Sequence, residues 1–194
     1  MLINRNFLVS NYFADFPIDN DDGSAYWVET NNFLLYGGSK SLMGYNKHFI
    51  NNSYVLVDYT PSAHVARPPR EVGSSWPPEG KPGSCSAIIA AGAFAAAGLA
   101  DQYWNNTCIA NSSAKFFRWF SCNDTHPLDG TIPFPMRDNV YLSTDAGYAM
   151  PCNGQKWSLA EAQARGVDLG SSVGNFPSVD DFIKMAHDRL GFGQ

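Results

Sequence analysis

Three carboxylates, Asp19, Asp21 and Asp22, crowd the stretch "FPIDNDDGSAYWVETNNFLLYGGSK" (residues 16–40) of a chain that is only 16% charged. Residues two apart on a strand share a face, so Asp19 and Asp21 can point together, with Asp22 opposite or in the turn before Gly23. Two adjacent carboxylates resist ionising together, which leaves one protonated and able to act as a general acid. Glycoside hydrolysis uses such a pair, one acid for the leaving oxygen and one carboxylate to activate water. About 20 residues later come Lys40 and the trio Asn46, Lys47 and His48, candidate ligands for a uronate or sulfate. A lysine or histidine there is also a candidate base for β-elimination, in which case the acids would hold Ca²⁺. Tyr26 and Trp27, with Tyr36 and Tyr45, offer aromatic faces to sugar C–H surfaces. The competing reading is structural: "DNDDGS" is an Asx-rich turn, the lysines are its solvated counter-charges, and the aromatics are core. His64, His126 and His187 have no metal-ligand spacing, so no metal site is expected, and no P-loop, GxSxG or HExxH occurs.

The elements that would position these residues are short. "NFLVSNYF", "AYWVET", "NNFLLYGG" and "HFINNSYVLVDY" are rich in β-branched and aromatic residues and are broken by Asn, Asp and Gly. Nine asparagines lie between Asn4 and Asn52, and Asn11, Asn31/Asn32 and Asn51/Asn52 recur about every 20 residues. Stacked corners of a parallel β-helix would use such asparagines to satisfy buried backbone groups; a β-sandwich with Asn-rich turns is the alternative. Residues 60–84 carry six of the 12 prolines and read as a loop excursion. Strand character resumes at "DQYWNNTCIA", "KFFRWFSC" and "NVYLST". The segment 158–191 is helical: Ser158 with Glu161 forms a capping box, and Val179, Phe182, Ile183, Met185, Ala186 and Leu190 trace an apolar face of 3.6-residue period before Gly191. That helix is expected to pack on the scaffold or cap it.

With 194 residues the chain reads as a single domain, and 44% hydrophobic content excludes disorder. A net charge of −5 argues against nucleic acid as a partner. The longest small-residue run, Ala87–Ala100, covers 14 residues, too short for a membrane span. Cys85, Cys108, Cys122 and Cys152 lack a CxxC pattern and allow three disulfide pairings. Sequons begin at Asn51, Asn105, Asn111 and Asn123. Together the cysteines and sequons point to a secreted, glycosylated protein.

The stretches "PIDNDDGSAYW", "NNFLLYGGSK", "GYNKHFINN" and "YWNNTCIA", with the ending "CNGQKWSLAEAQARGVDLGSSV", resemble right-handed parallel β-helix proteins of the pectate-lyase-like superfamily. The resemblance implies an all-β solenoid over residues 1–194, interrupted by the 60–84 loop and closed by the C-terminal helices. It implies a longer solenoid of which this chain is the C-terminal part, or a partner chain covering its N-terminal end. An Asp-Asp pair on a strand, as in polygalacturonase-type members, maps to Asp21 and Asp22, although Gly-His-Gly, Asn-Thr-Asp and Arg-Ile-Lys motifs are absent. The implied function is that of an extracellular polysaccharide glycoside hydrolase without a cofactor. The alternatives are a polysaccharide lyase using Ca²⁺, and a non-catalytic glycan-binding or structural protein of an extracellular assembly.

Overall fold

The computed structural model describes residues 1–9, 17–20, 24–42, 44–58, 85–89, 99, 101–118, 136–152 and 155–192. In chain order the strands are β1 (Leu2–Asn4), β2 (Phe7–Val9), β3 (Ile18–Asn20), β4 (Val28–Thr30), β5 (Phe33–Leu35), β6 (Ser39–Leu42), β7 (His48–Ile50), β8 (Ser53–Val55) and β9 (Ser86–Ile89). They continue as β10 (Gln102–Trp104), β11 (Thr107–Ala110), β12 (Phe117–Arg118), β13 (Met136–Arg137), β14 (Val140–Ser143), β15 (Met150–Cys152), β16 (Gln155–Trp157) and β17 (Ser172–Asn175). Two α-helices, α1 (Leu159–Ala164) and α2 (Val179–Leu190), complete the elements used below.

The strands assemble into a five-stranded sheet ordered β1-β4-β7-β10-β13, a six-stranded sheet ordered β17-β14-β11-β8-β5-β2, and a four-stranded sheet ordered β12-β9-β6-β3. Every pairing within these three sheets is parallel, whereas β15 and β16 pair antiparallel. The expected class, an all-β right-handed parallel β-helix, is corrected here. Parallel sheets of five and six strands combine with a shorter sheet, an antiparallel pair and two helices, so the class is mixed and an uninterrupted solenoid does not describe it. The physical reason lies in the last third of the chain. Ser158 and Ser178 each close a capping box, and the 3.6-residue apolar period after Ser178 favours a helix over further strand pairing.

One corner repeats between the five- and six-stranded sheets and explains the asparagines. Arg5, Asn31, Asn51, Asn105 and Asp138 all have φ between 54° and 60°, a left-handed conformation that Asn and Asp tolerate better than most residues. The residue after each is Asn6, Asn32, Asn52, Asn106 or Asn139. Asn52 Oδ1 accepts from the Asn32 backbone and side-chain amides, both at 3.0 Å, while Asn52 Nδ2 donates to the Glu29 carbonyl at 2.9 Å. The same pattern joins Asn6 to Asn32, Asn52 to Asn106 and Asn106 to Asn139. Each amide thereby satisfies backbone groups that would otherwise be buried and orphaned.

Side chains alternate across the strands. Leu34, Tyr54, Cys108 and Tyr141 stack in register within the core, beside Phe49, Tyr103 and Met136 from the five-stranded sheet. Phe33, Val55 and Ile109 point the other way, where Phe182, Met185, Ala186 and Leu190 of α2 cover them. Arg189 fastens this helix, donating from Nε to Ser53 Oγ at 3.0 Å, from Nη2 to Thr107 Oγ1 at 3.3 Å and from Nη1 to Asn51 Oδ1. Cys85 and Cys108 form a disulfide with Cα atoms 5.7 Å apart, tying the residue that leads into β9 to β11. That is one of the three pairings the sequence left open in part; the side chains of Cys122 and Cys152 lie outside the described residues.

Candidate functional site

The chain enters the five-stranded sheet through two stacked corners, and these gather most of the sequence candidates. Ala25 bridges Tyr45 in parallel, and Val28 pairs with His48, so Tyr26 and Trp27 lie over Asn46 and Lys47. Tyr26 and Asn46 both take left-handed φ, 59° and 54°, and Gly44, two residues before Asn46, takes 77°. These corners are pinned by the Tyr26 amide on the Tyr45 carbonyl at 3.4 Å and the Asn46 amide on the Leu99 carbonyl at 2.8 Å. Such a turn pushes the side chain outward: Tyr26 is 54% exposed. Its ring meets Tyr45 edge-on, centroids 5.4 Å apart, and the neighbouring Tyr45 phenol raises the Tyr26 pKa. His48 Nε2 is 2.8 Å from Asn46 Oδ1, and His48, Asn46, Tyr45 and Trp27 are all half-buried. The result is an aromatic and amide ledge along one edge of the sheet.

Lys47 sits elsewhere than a surface ligand or an elimination base would. It is fully buried, with Nζ 3.5 Å from Asp101 Oδ2 and its backbone amide 2.8 Å from Asp101 Oδ1. Ser41 Oγ donates to the same Asp101 at 2.8 Å. Nearby, buried Glu29 accepts from Ser39 Oγ at 2.9 Å and from Asn20 Nδ2. Burial pushes the Glu29 carboxyl up to about 7, with the hydrogen bonds and the Lys47 charge pulling the other way. Burial likewise raises Asp101 and lowers Lys47, opposed in each case by their mutual attraction.

Of the acids, Asp19 lies on β3 with Lys40 as its partner across β6, and Lys40 is itself buried. Asp21 and Asp22 fall outside the described residues. Among the sequons, Asn51 donates Nδ2 to Asn31 at 2.6 Å and lies under Arg189, whereas Asn105 and Asn111 are exposed; Asn123 is outside the description. Among the described residues no group of three or more His, Cys, Asp or Glu side chains is placed to hold a metal ion, and no helix is long and apolar enough to cross a membrane.

Sequence reasoning missed Glu29, Asp101, Trp104 and Arg137. The Arg137 guanidinium lies 3.8 Å over the Trp104 ring, next to the row Thr30, Ile50 and Trp104 on the outward side of the five-stranded sheet. A signal for Glu29 was available. Ile3, Glu29, Phe49, Tyr103 and Met136 each stand two residues before a left-handed corner, so aligning the corners exposes one acid in an apolar column.

No protein-family model matches the chain, and neither does any curated protein or solved structure.

Proposed function

We propose that this chain is an extracellular carbohydrate-recognition protein that works by binding rather than by cleaving. The observation that carries this reading is the exposed Tyr26, set edge-on against Tyr45 beside Asn46 and His48, an amphipathic ledge suited to a sugar face with amide and imidazole groups at its rim. Four of the described acids serve the scaffold instead. Asp58 takes the amides of Asn111 and Ser112, Asp145 those of Ser113 and Gly147, and Glu29 and Asp101 are enclosed. The Cys85–Cys108 disulfide supports an oxidising, extracellular setting.

A second reading, glycoside hydrolase, keeps one specific support. Asp19 pairs in register with Lys40, and Asp21 and Asp22 follow it in the sequence ahead of Tyr26. Fold alone does not choose between the two. Affinity electrophoresis in neutral, uronic and sulfated polysaccharides, with reducing ends and unsaturated products followed on the same samples, separates them. Binding without product, weakened roughly tenfold by Tyr26→Ala, a loss of about 1.4 kcal/mol, is the expected result. Reducing ends that vanish with Asp21→Asn or Asp22→Asn would replace it with the hydrolase, and unsaturated products with a lyase. Absence of any glycan retention by folded protein would remove the binding reading.

A further inference from the structure

The interior column of the five-stranded sheet places one carboxylate, Glu29, among Ile3, Phe49, Tyr103 and Met136, and Glu29 is 1% exposed. The groups facing it come from each element packed around it. Asn20 on β3 and Ser39 on β6 donate to its two oxygens. Lys47, at the entry to β7, attracts it and is shared with Asp101, at the entry to β10. The phenols of Tyr54 on β8 and Tyr103 on β10 also feel it, and burial keeps both far above their ordinary pKa and therefore neutral. Lys40 stands on the opposite face of β6 from Ser39 and Ser41. Among the described residues of this cluster, the Lys47 ammonium therefore serves two carboxylates.

We propose that the Glu29–Lys47–Asp101 cluster is a pH-sensitive lock on the interior of this fold. With Glu29 protonated, the Lys47 ammonium balances the Asp101 carboxylate and the three-residue cluster carries no net charge. Loss of the Glu29 proton to solvent leaves a net negative charge enclosed among apolar side chains, and the tiers around β4 and β7 loosen. Burial among apolar side chains pushes the Glu29 carboxyl up to about 7, and that sets the range over which this happens. A carboxyl raised in the folded state stabilises that state fully below its unfolded value. That stability is lost as pH rises through the folded value, so the lock tightens in mild acid and slackens near neutrality.

Equilibrium urea unfolding of the disulfide-intact protein between about pH 4.5 and about pH 8.5 tests it. The unfolding constant is expected to rise on the order of a hundredfold across that range, and Glu29→Gln, which keeps shape and removes the titration, is expected to abolish most of the rise. A constant that does not change with pH, or a Glu29→Gln protein with the unaltered slope, overturns the lock. Should Glu29→Gln fail to fold, the carboxyl ¹³C resonance of Glu29 in the unaltered protein decides the matter. A midpoint near 7 supports the proposal, and one at an ordinary carboxylate value of about 4.3 overturns it.

Discussion

Two polar columns run through the buried part of this molecule and solve the same problem differently. At the corner between the five- and six-stranded sheets, Asn6, Asn32, Asn52, Asn106 and Asn139 pass hydrogen bonds from tier to tier. The side chains of Asn32, Asn52, Asn106 and Asn139 both donate and accept, and the column ends where Asn139 donates to buried Asp168. Between the five- and four-stranded sheets, Glu29, Lys47 and Asp101 hold charges supported by Asn20, Ser39 and Ser41. A neutral amide meets its partners with no ionic desolvation and with nothing to titrate. A buried ion demands a counter-ion and stays sensitive to protons. The first column is a device for holding tiers in register, while the second makes the interior respond to its surroundings.

The contrast is broken most severely by Lys47→Met, which leaves Asp101 and Glu29 buried without their ammonium. A loss of about 3–5 kcal/mol at about pH 8 is expected, shrinking in mild acid as Glu29 takes up a proton; urea unfolding at the two pH values measures it. Asn52→Leu comes next. It strands the Asn32 amide and the Glu29 carbonyl, at a cost of about 2–4 kcal/mol that is the same at either pH, because no proton is involved. Equal pH sensitivity in these two variants would erase the distinction between the columns. Ser39→Ala has the smallest expected effect, about 1 kcal/mol. The Ser39 hydroxyl stabilises the charged form of Glu29, so its removal moves the Glu29 midpoint higher still, and carboxyl NMR reads the direction.

Much of the corner architecture was legible, but only in part. The pairs Asn31-Asn32 and Asn51-Asn52 stand 20 residues apart and do stack. Asn105-Asn106 belongs to the same column, yet its ladder bond to Asn52 spans 54 residues and the next, to Asn139, spans 33. Long excursions between corners hide the repeat from any fixed-period search, and the residue standing at the left-handed position varies among Arg, Asn and Asp. Both helix starts were legible because their signals are local: the Ser158–Glu161 capping box for α1, and for α2 the apolar period that follows Ser178, where the structure adds a second box with Asp181.

The candidate site was read less completely. Tyr26, Trp27, Asn46 and His48 were singled out and are brought together, whereas Lys47, singled out with them, turns inward to Asp101. A lysine beside a histidine in a polar stretch carries no local mark of burial. Its direction depends on strand parity counted from the corner, and its partner Asp101 lies 54 residues away.

By itself the sequence determined what is local: short β-branched strands, asparagines where the backbone must turn left-handed, serine-capped helices and an apolar stripe along α2. These follow from preferences of single residues and their near neighbours. Only the tertiary structure decided which tiers meet, that parallel sheets and helices share one mixed fold, that Cys85 joins Cys108, and that Glu29, Lys47 and Asp101 share one enclosed space. Those outcomes depend on contacts between distant segments, where the length of an excursion and the parity of a strand set the neighbours and the surrounding burial sets the charge.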